Sequence, residues 1–334
     1  MLSHSRFLLG GLVMAAAVAG CGSGAQPTST ATRSAAARRT AHRDPSVDVR
    51  VSVSAAGRLP APVQDPATTA VGGHAVLMGG LDQADTSTNE VFVTNGASSR
   101  RLGSLPYGVH DAAAATLGGT AYLIGGGEPS FAQIVSVDAH SHSSVAAYLP
   151  AAASDVAAAA IGGTVYVVGG FTGTAPLNTI VAWPGSGSPR VVGHLPHPLR
   201  YAAVAAAGGK LIITGGTSGI DATTDVFSYD PVRGHVRRIA VLSRPLTHAS
   251  AATLGGHVYV IGGRGSNLDT QTNTILAIDP SSGRVLRAGR LPVGLSDTGA
   301  ATVGHSVIVA GGRTAGGVVS DRVYVLRPRT GVGR

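Results

Sequence analysis

One feature constrains this chain more than any other: it repeats itself. Gly-Gly pairs that follow an apolar run recur at 79–80, 125–126, 169–170, 215–216, 262–263 and 311–312, in steps of 46, 44, 46, 47 and 49 residues. A second landmark keeps the same pace. Leu-Pro stands at 59–60, 105–106, 149–150, 195–196 and 291–292, with Leu242-Ser243 in the fifth slot. A period of this length marks stacked supersecondary units, none of which buries its apolar faces alone.

Each unit reads as four strands. In the second, Ala112 to Leu117 is a run of small β-compatible residues. Gly118-Gly119 supplies the positive φ angles of a two-residue hairpin. Thr120 to Ile124 is a second strand rich in β-formers, and Ile134 to Val137 a third. A turn and a fourth strand lead to the next Leu-Pro. Four antiparallel strands in about 46 residues is the pattern of a propeller blade, and the alanine runs suit the crowded innermost strand. The expected fold is all-β: a six-bladed β-propeller over residues 49–334. The last repeat stops after its third strand, Arg322 to Leu326, while Val51 to Gly57 aligns with the fourth strands. The N-terminal strand is therefore expected to complete blade six, giving 24 strands and covering two otherwise open edges.

The Gly-Gly after each second strand, and the turns Asp230-Pro231 and Asp279-Pro280 after third strands, resemble kelch repeats over about residues 50–329. The usual fourth-strand tryptophan is missing. Val191, Ile239 and Val285 or Leu286 lie near those positions, and the one tryptophan, Trp183, belongs to a third strand. The resemblance extends distantly to the propellers of sialic-acid mutarotases and galactose oxidase. It implies a ligand-binding face at the mouth of the central channel. The oxidase cofactor needs a cysteine cross-linked to tyrosine, with copper, and the only cysteine here, Cys21, has another use.

Phe7 to Ala19 is an apolar run too short to span a bilayer comfortably but suited to a signal peptide. Val18-Ala19-Gly20-Cys21 resembles the bacterial lipobox, which makes Cys21 the expected lipidation site. Residues 1–20 read as a lipoprotein signal peptide, and residues 21–48, poor in large apolar side chains, as a flexible tether. The expected location is the extracytoplasmic face of the cell membrane. The net charge of +8 comes from 24 Arg and one Lys. No dense basic run accompanies it, so no nucleic-acid partner is expected. The expected partner is a cell-envelope protein or glycan, and the expected state is a monomer.

Candidate chemistry gathers at one repeat position. Five residues after each Leu-Pro-like landmark stand Gln64, His110, Ser154, Arg200, Thr247 and Ser296; the next slot holds Asp65, Asp111, Asp155, Tyr201, His248 and Asp297. Both slots belong near the channel mouth. The recurring aspartate has a structural explanation, acceptance of hydrogen bonds from loop N–H groups. It also forms a contiguous acidic arc, which Arg200, Tyr201 and His248 interrupt. The expected ligand-binding set is Asp65, His110, Asp111, Asp155, Arg200, Tyr201, His248 and Asp297. Arg264 and Asp269 mark the alternative location, on the loops between second and third strands. His140 and His142 fall in a turn and suggest no metal site. No Gly-x-Ser-x-Gly elbow and no phosphate loop is present. No catalytic residue, metal or cofactor is expected. The leading expectation is a binding or scaffold module, with a carbohydrate-active enzyme such as a sugar mutarotase or epimerase as the alternative.

Overall fold

The computed structural model describes residues 48–329. The expected signal peptide, the expected lipidation site Cys21 and all of the expected tether but residue 48 lie outside the described residues. Six antiparallel sheets hold the described chain. Blades one to five span residues 67–104, 113–148, 157–194, 203–246 and 250–290. The sixth sheet orders Val51–Arg58, Arg322–Pro328, Ser306–Ala310 and Gly299–Val303 from outside to inside. The first strand of the chain thus serves as the fourth of blade six, in a register running from Val51 opposite Pro328 to Arg58 opposite Arg322.

The repeated glycines explain how one blade locks to the next. Both residues of each pair have positive φ, 61° to 73° for the first and 85° to 109° for the second. A Cβ on the first glycine would stand 2.1–2.3 Å from a backbone carbonyl at the passage from its own blade to the next. The second glycine donates its N–H to that same carbonyl at 2.7–2.9 Å, from Gly80 to Val109 around to Gly312 to Val63. Only glycine allows both the backbone angles and the approach. The Leu-Pro landmark supplies the acceptor side, because Val63, Val109, Ala153, Leu199, Leu246 and Leu295 each stand four residues after it.

The apolar core falls into six clusters, and each draws its residues from two neighbouring blades. A blade therefore buries its faces only against its neighbours. Trp183 is fully buried between blades two and three, edge-on to Tyr122 with ring centroids 4.9 Å apart. It fills from a third strand the kind of interface space that its absence from the fourth strands leaves. Around the axis, threonines stitch the inner strands together: Thr116, Thr253 and Thr302 donate to the carbonyls of Ala70, Ala206 and Thr253 in the preceding blades at 2.6–2.8 Å.

Blade four departs from the expected plan. A two-residue strand, Thr217–Ser218, adds a twenty-fifth strand, and the third and fourth strands lengthen to Asp221–Asp230 and His235–Leu246. The fifth landmark, Leu242-Ser243, consequently lies inside a strand. Pairing with the third strand lapses over Leu242 to Pro245 and resumes with Thr223 opposite Leu246, across a shift of register.

Candidate functional site at the channel mouth

The six residues of the aspartate slot share one backbone conformation. Asp65, Asp111, Asp155, Tyr201, His248 and Asp297 have φ of 55°, 54°, 56°, 52°, 53° and 59°. This left-handed region strongly favours Asp and Asn among non-glycine residues. Five of their six N–H groups link them in a chain around the axis. Asp65 donates to Asp297 O, Asp155 to Asp111 O, Tyr201 to Asp155 O, His248 to Tyr201 O and Asp297 to His248 O, at 2.8–3.3 Å. The structural reason for the recurring aspartate is thus its backbone, not acceptance of loop N–H groups by its carboxylate.

The ring sits where the inner strands begin and encloses a cavity of about 120 Å³ lined by these six side chains, Val156, Thr298 and three alanines. The residues one position earlier form a second layer. Gln64, Ser154, Arg200, Thr247 and Ser296 make single bridges with Leu81, Phe171, Thr217, Arg264 and Arg313, each the first residue after a Gly-Gly pair.

Proximity and burial set the electrostatics. Burial, followed by the charges of Asp111 and Asp297, holds the Asp65 carboxyl well above the usual carboxylate range. Burial, with Asp155 as the nearest like charge, raises Asp111 to about 7. Burial raises Asp297 to about 6, against the pull of a hydrogen bond from Ser296 at 2.5 Å and of nearby Arg264 and Arg313. One oxygen of Asp297, Oδ1, is buried without a hydrogen-bond partner.

The interruption of the arc is a single assembly. The Arg200 Nε donates to Asp155 Oδ2 while its guanidinium lies 4.2 Å over the Phe171 ring. Arg200 Nη2 donates to the Tyr201 hydroxyl at 3.4 Å, which donates to Asp111 Oδ2 at 3.3 Å. Burial raises the Tyr201 hydroxyl, so it stays protonated. Its ring stacks on His248 at 3.8 Å. Burial, reinforced by Arg264 and Arg200, pushes His248 well below the usual histidine range. Arg264 Nη2, which can only donate, lies 3.1 Å from His248 Nε2. Nε2 therefore accepts, and the proton of the neutral ring sits on Nδ1, 3.0 Å from Thr247 Oγ1. Thr247 relays that bond to Thr217 Oγ1 at 2.8 Å.

Of the expected set, six residues line the cavity and Arg200 braces it through Asp155. His110 stands at the rim, its Nδ1 2.7 Å from Ser87 Oγ and its Nε2 3.8 Å from Asp111 Oδ2. Three further participants, Phe171, Arg264 and Arg313, escaped the expected set. Each directly follows a Gly-Gly pair, so that slot carried the signal. His140 and His142 lie exposed in a turn with Asp138. Among the described residues, no group of three or more His, Cys, Asp or Glu side chains has a metal-holding arrangement.

A kelch motif model matches residues 152–183, 198–240 and 245–288, which cover much of blades three, four and five. No curated protein matches the sequence significantly. Among solved structures, YjhT superposes with a TM-score of 0.70 over 82% of this chain and 97% of its own, at 16% identity. At that identity the likeness speaks for the fold. The chain is a six-bladed β-propeller that carries kelch motifs.

Proposed function

We propose that this protein is a binding or scaffold module whose ligand seat is the channel mouth, displayed on the outer side of the cell membrane by a lipid on Cys21. The observation that carries this reading is the Arg200–Tyr201–His248 assembly. It replaces three side chains' independent freedom with one rigid, hydrogen-bonded surface beside a solvent-reached cavity. Its own chemistry favours recognition over reaction. His248 Nε2 is occupied by Arg264, and Tyr201 keeps its proton, so neither is a base.

The test is a glycan and envelope-polymer array probed with the chain from Asp48 onward, followed by the triple change Arg200→Ala, Tyr201→Phe, His248→Ala. Affinity for any captured ligand is expected to fall about tenfold or more, the scale of a lost charge-assisted contact. Unaltered affinity with an intact fold places the site elsewhere. One observation favours a second reading, a carbohydrate-active enzyme: a carboxyl at about 7 in a solvent-reached cavity, that of Asp111, suits proton transfer near neutral pH. Anomer interconversion followed by NMR, with Asp111→Asn as control, separates the two.

A further inference from the structure

A groove lies beside the mouth between blades four and five. Its volume is about 470 Å³, against about 100 Å³ for the repeat-equivalent groove between blades two and three. Two sequence differences open it. The loop after Gly263 holds eight residues, 264–271, where the loop after Gly170 holds six, 171–176. Thr272 also stands where blade three has Leu177, each donating its N–H to the second glycine of its pair. The longer loop is held in place. Ser266 Oγ accepts the N–H of Ala222 from blade four at 2.9 Å, and Thr270 Oγ1 accepts that of Gly265 at 2.9 Å.

The floor of the groove is apolar, with Leu242, Leu246, Val260 and Leu276, and its rim carries Arg244 and Arg264. Arg264 differs from the other arginines of the mouth. Arg200 is paired with Asp155, and Arg313, at the same repeat position in blade six, with Asp85 at 3.0 Å. Arg264 makes no ion pair among the described residues. Its Nη1 reaches the carbonyls of Gly265 and Ser266 at 3.4 and 3.3 Å, and its Nη2 reaches His248. A guanidinium has five donors. Three are engaged, which leaves the Nε–H and one Nη2–H for a further acceptor. A half-buried cation without a counter-ion, beside an apolar floor of ligand-sized volume, describes a site for an amphiphilic anion.

We propose that the groove between blades four and five binds a small organic carboxylate, its charged head on Arg264 and Arg244 and its aliphatic or aromatic body on Leu242, Leu246, Val260 and Leu276. This site adjoins the axial cavity, which it meets through the contact of Arg264 with His248, but its apolar lining is its own.

The probes are octanoate, benzoate and indole-3-acetate, each beside its neutral amide, titrated by ligand-observed NMR into the chain from Asp48 onward, which holds all six blades. At least one carboxylate is expected to saturate the protein, with its amide weaker by about tenfold or more. Arg264→Gln is expected to weaken that carboxylate about tenfold, and Arg313→Gln less than about twofold. Asp65→Asn, which alters the axial cavity alone, should leave the affinity unchanged. A melting curve confirms that Arg264→Gln folds, and Arg264→Lys, which keeps the charge without the fork, should recover part of the loss. The proposal is overturned if no carboxylate saturates the protein, if acid and amide bind alike, or if Arg264→Gln binds as tightly as the parent.

Discussion

At the scale of single residues, the backbone decides more than the side chain. The first glycine of each pair is the clearest case. Gly215 has a φ of 61°, and a Cβ there would lie 2.1 Å from Leu246 O, where the chain passes to the next blade. Gly209, in a hairpin, has a φ of 70° but nothing within 4 Å of its Cβ position. Gly209→Ala is expected to cost about 1 kcal/mol for the left-handed conformation alone. Gly215→Ala adds the clash and should cost roughly 2–4 kcal/mol. Parallel denaturant melts check both, and equal losses would remove the interlocking role. The mouth carboxyls make a second prediction, about pH. An acid that holds its proton more tightly folded than unfolded adds stability at low pH and loses it as pH rises. For Asp111 that window runs from the unfolded value, near 4, to about 7. Asp297 works the same way up to about 6, and Asp65 adds to both. Asp48, lowered to about 2 by its hydrogen bonds from Arg50, works in the opposite sense and only below pH 4. His248, held well below the usual histidine range by burial, works against the carboxyls up to about pH 6.5, where the unfolded ring loses its proton. The fall in melting temperature is therefore expected between about pH 6.5 and 8 and is on the order of 1 kcal/mol in stability. Asp111→Asn keeps a residue suited to a φ of 54° and should flatten that slope. A slope unchanged in Asp111→Asn would show that another group titrates.

At the scale of elements, the strand that opens the described chain does two jobs. It pairs with Arg322–Pro328 to finish blade six, and its first residues reach into blade five. Val51 is 2% exposed, and Tyr259 of blade five donates to Val49 O at 2.9 Å. A chain starting at Asp48 is expected to melt with the full-length protein, because the blades are complete within it. A chain starting at Arg58 loses the outer strand of blade six and part of the core between blades five and six. It should melt lower by roughly 10 °C or more. Equal melting temperatures would mean that blade six stands without its N-terminal strand. The outer strands also explain where the arginines go. Fourth strands form the exposed edge of each sheet, and Arg237, Arg238, Arg287 and Arg290 lie on two of them. Charge there hinders edge-to-edge pairing with another chain.

At the scale of the whole molecule, stability and display are shared by the ring. Each of the six apolar clusters spans two blades, so no blade is a folding unit on its own. The ring also fixes polarity: the channel mouth, the proposed ligand seat, lies at one end of the axis and both ends of the described chain at the other. For the proposed display on a membrane, Cys21→Ser is the decisive change. The variant is expected to leave the membrane fraction and collect in the soluble extracytoplasmic fraction, as measured by fractionation with the parent alongside. A variant as membrane-bound as the parent would exclude the lipid anchor.

The blade count, the four strands per blade and the closure through the N-terminal strand were legible in the sequence, because each rests on local chemistry repeated in register. Gly-Gly marks a backbone that only glycine adopts, Leu-Pro marks the entry to a blade, and the truncated last repeat leaves one strand unfilled. The slots at the mouth were legible for the same reason, since repetition assigns equivalent residues to equivalent places. The meaning of those slots was not. An aspartate recurring for its backbone angle and one recurring for its carboxylate look alike in one dimension; a φ near 55° separates them. Nor does sequence spacing tell that Arg264 lies against His248 from across the same blade, that Tyr201 stacks on His248 from the next, or that Arg264 is left without a carboxylate while Arg313 finds Asp85. Those pairings depend on how the blades fold and pack, which brings Arg200 and Asp155, 45 residues apart, and, across the closure of the ring, Arg313 and Asp85, 228 apart, within hydrogen-bond reach. Local sequence determines what each blade is, and only the packed ring decides which side chains meet at its centre and which are left free to meet something else.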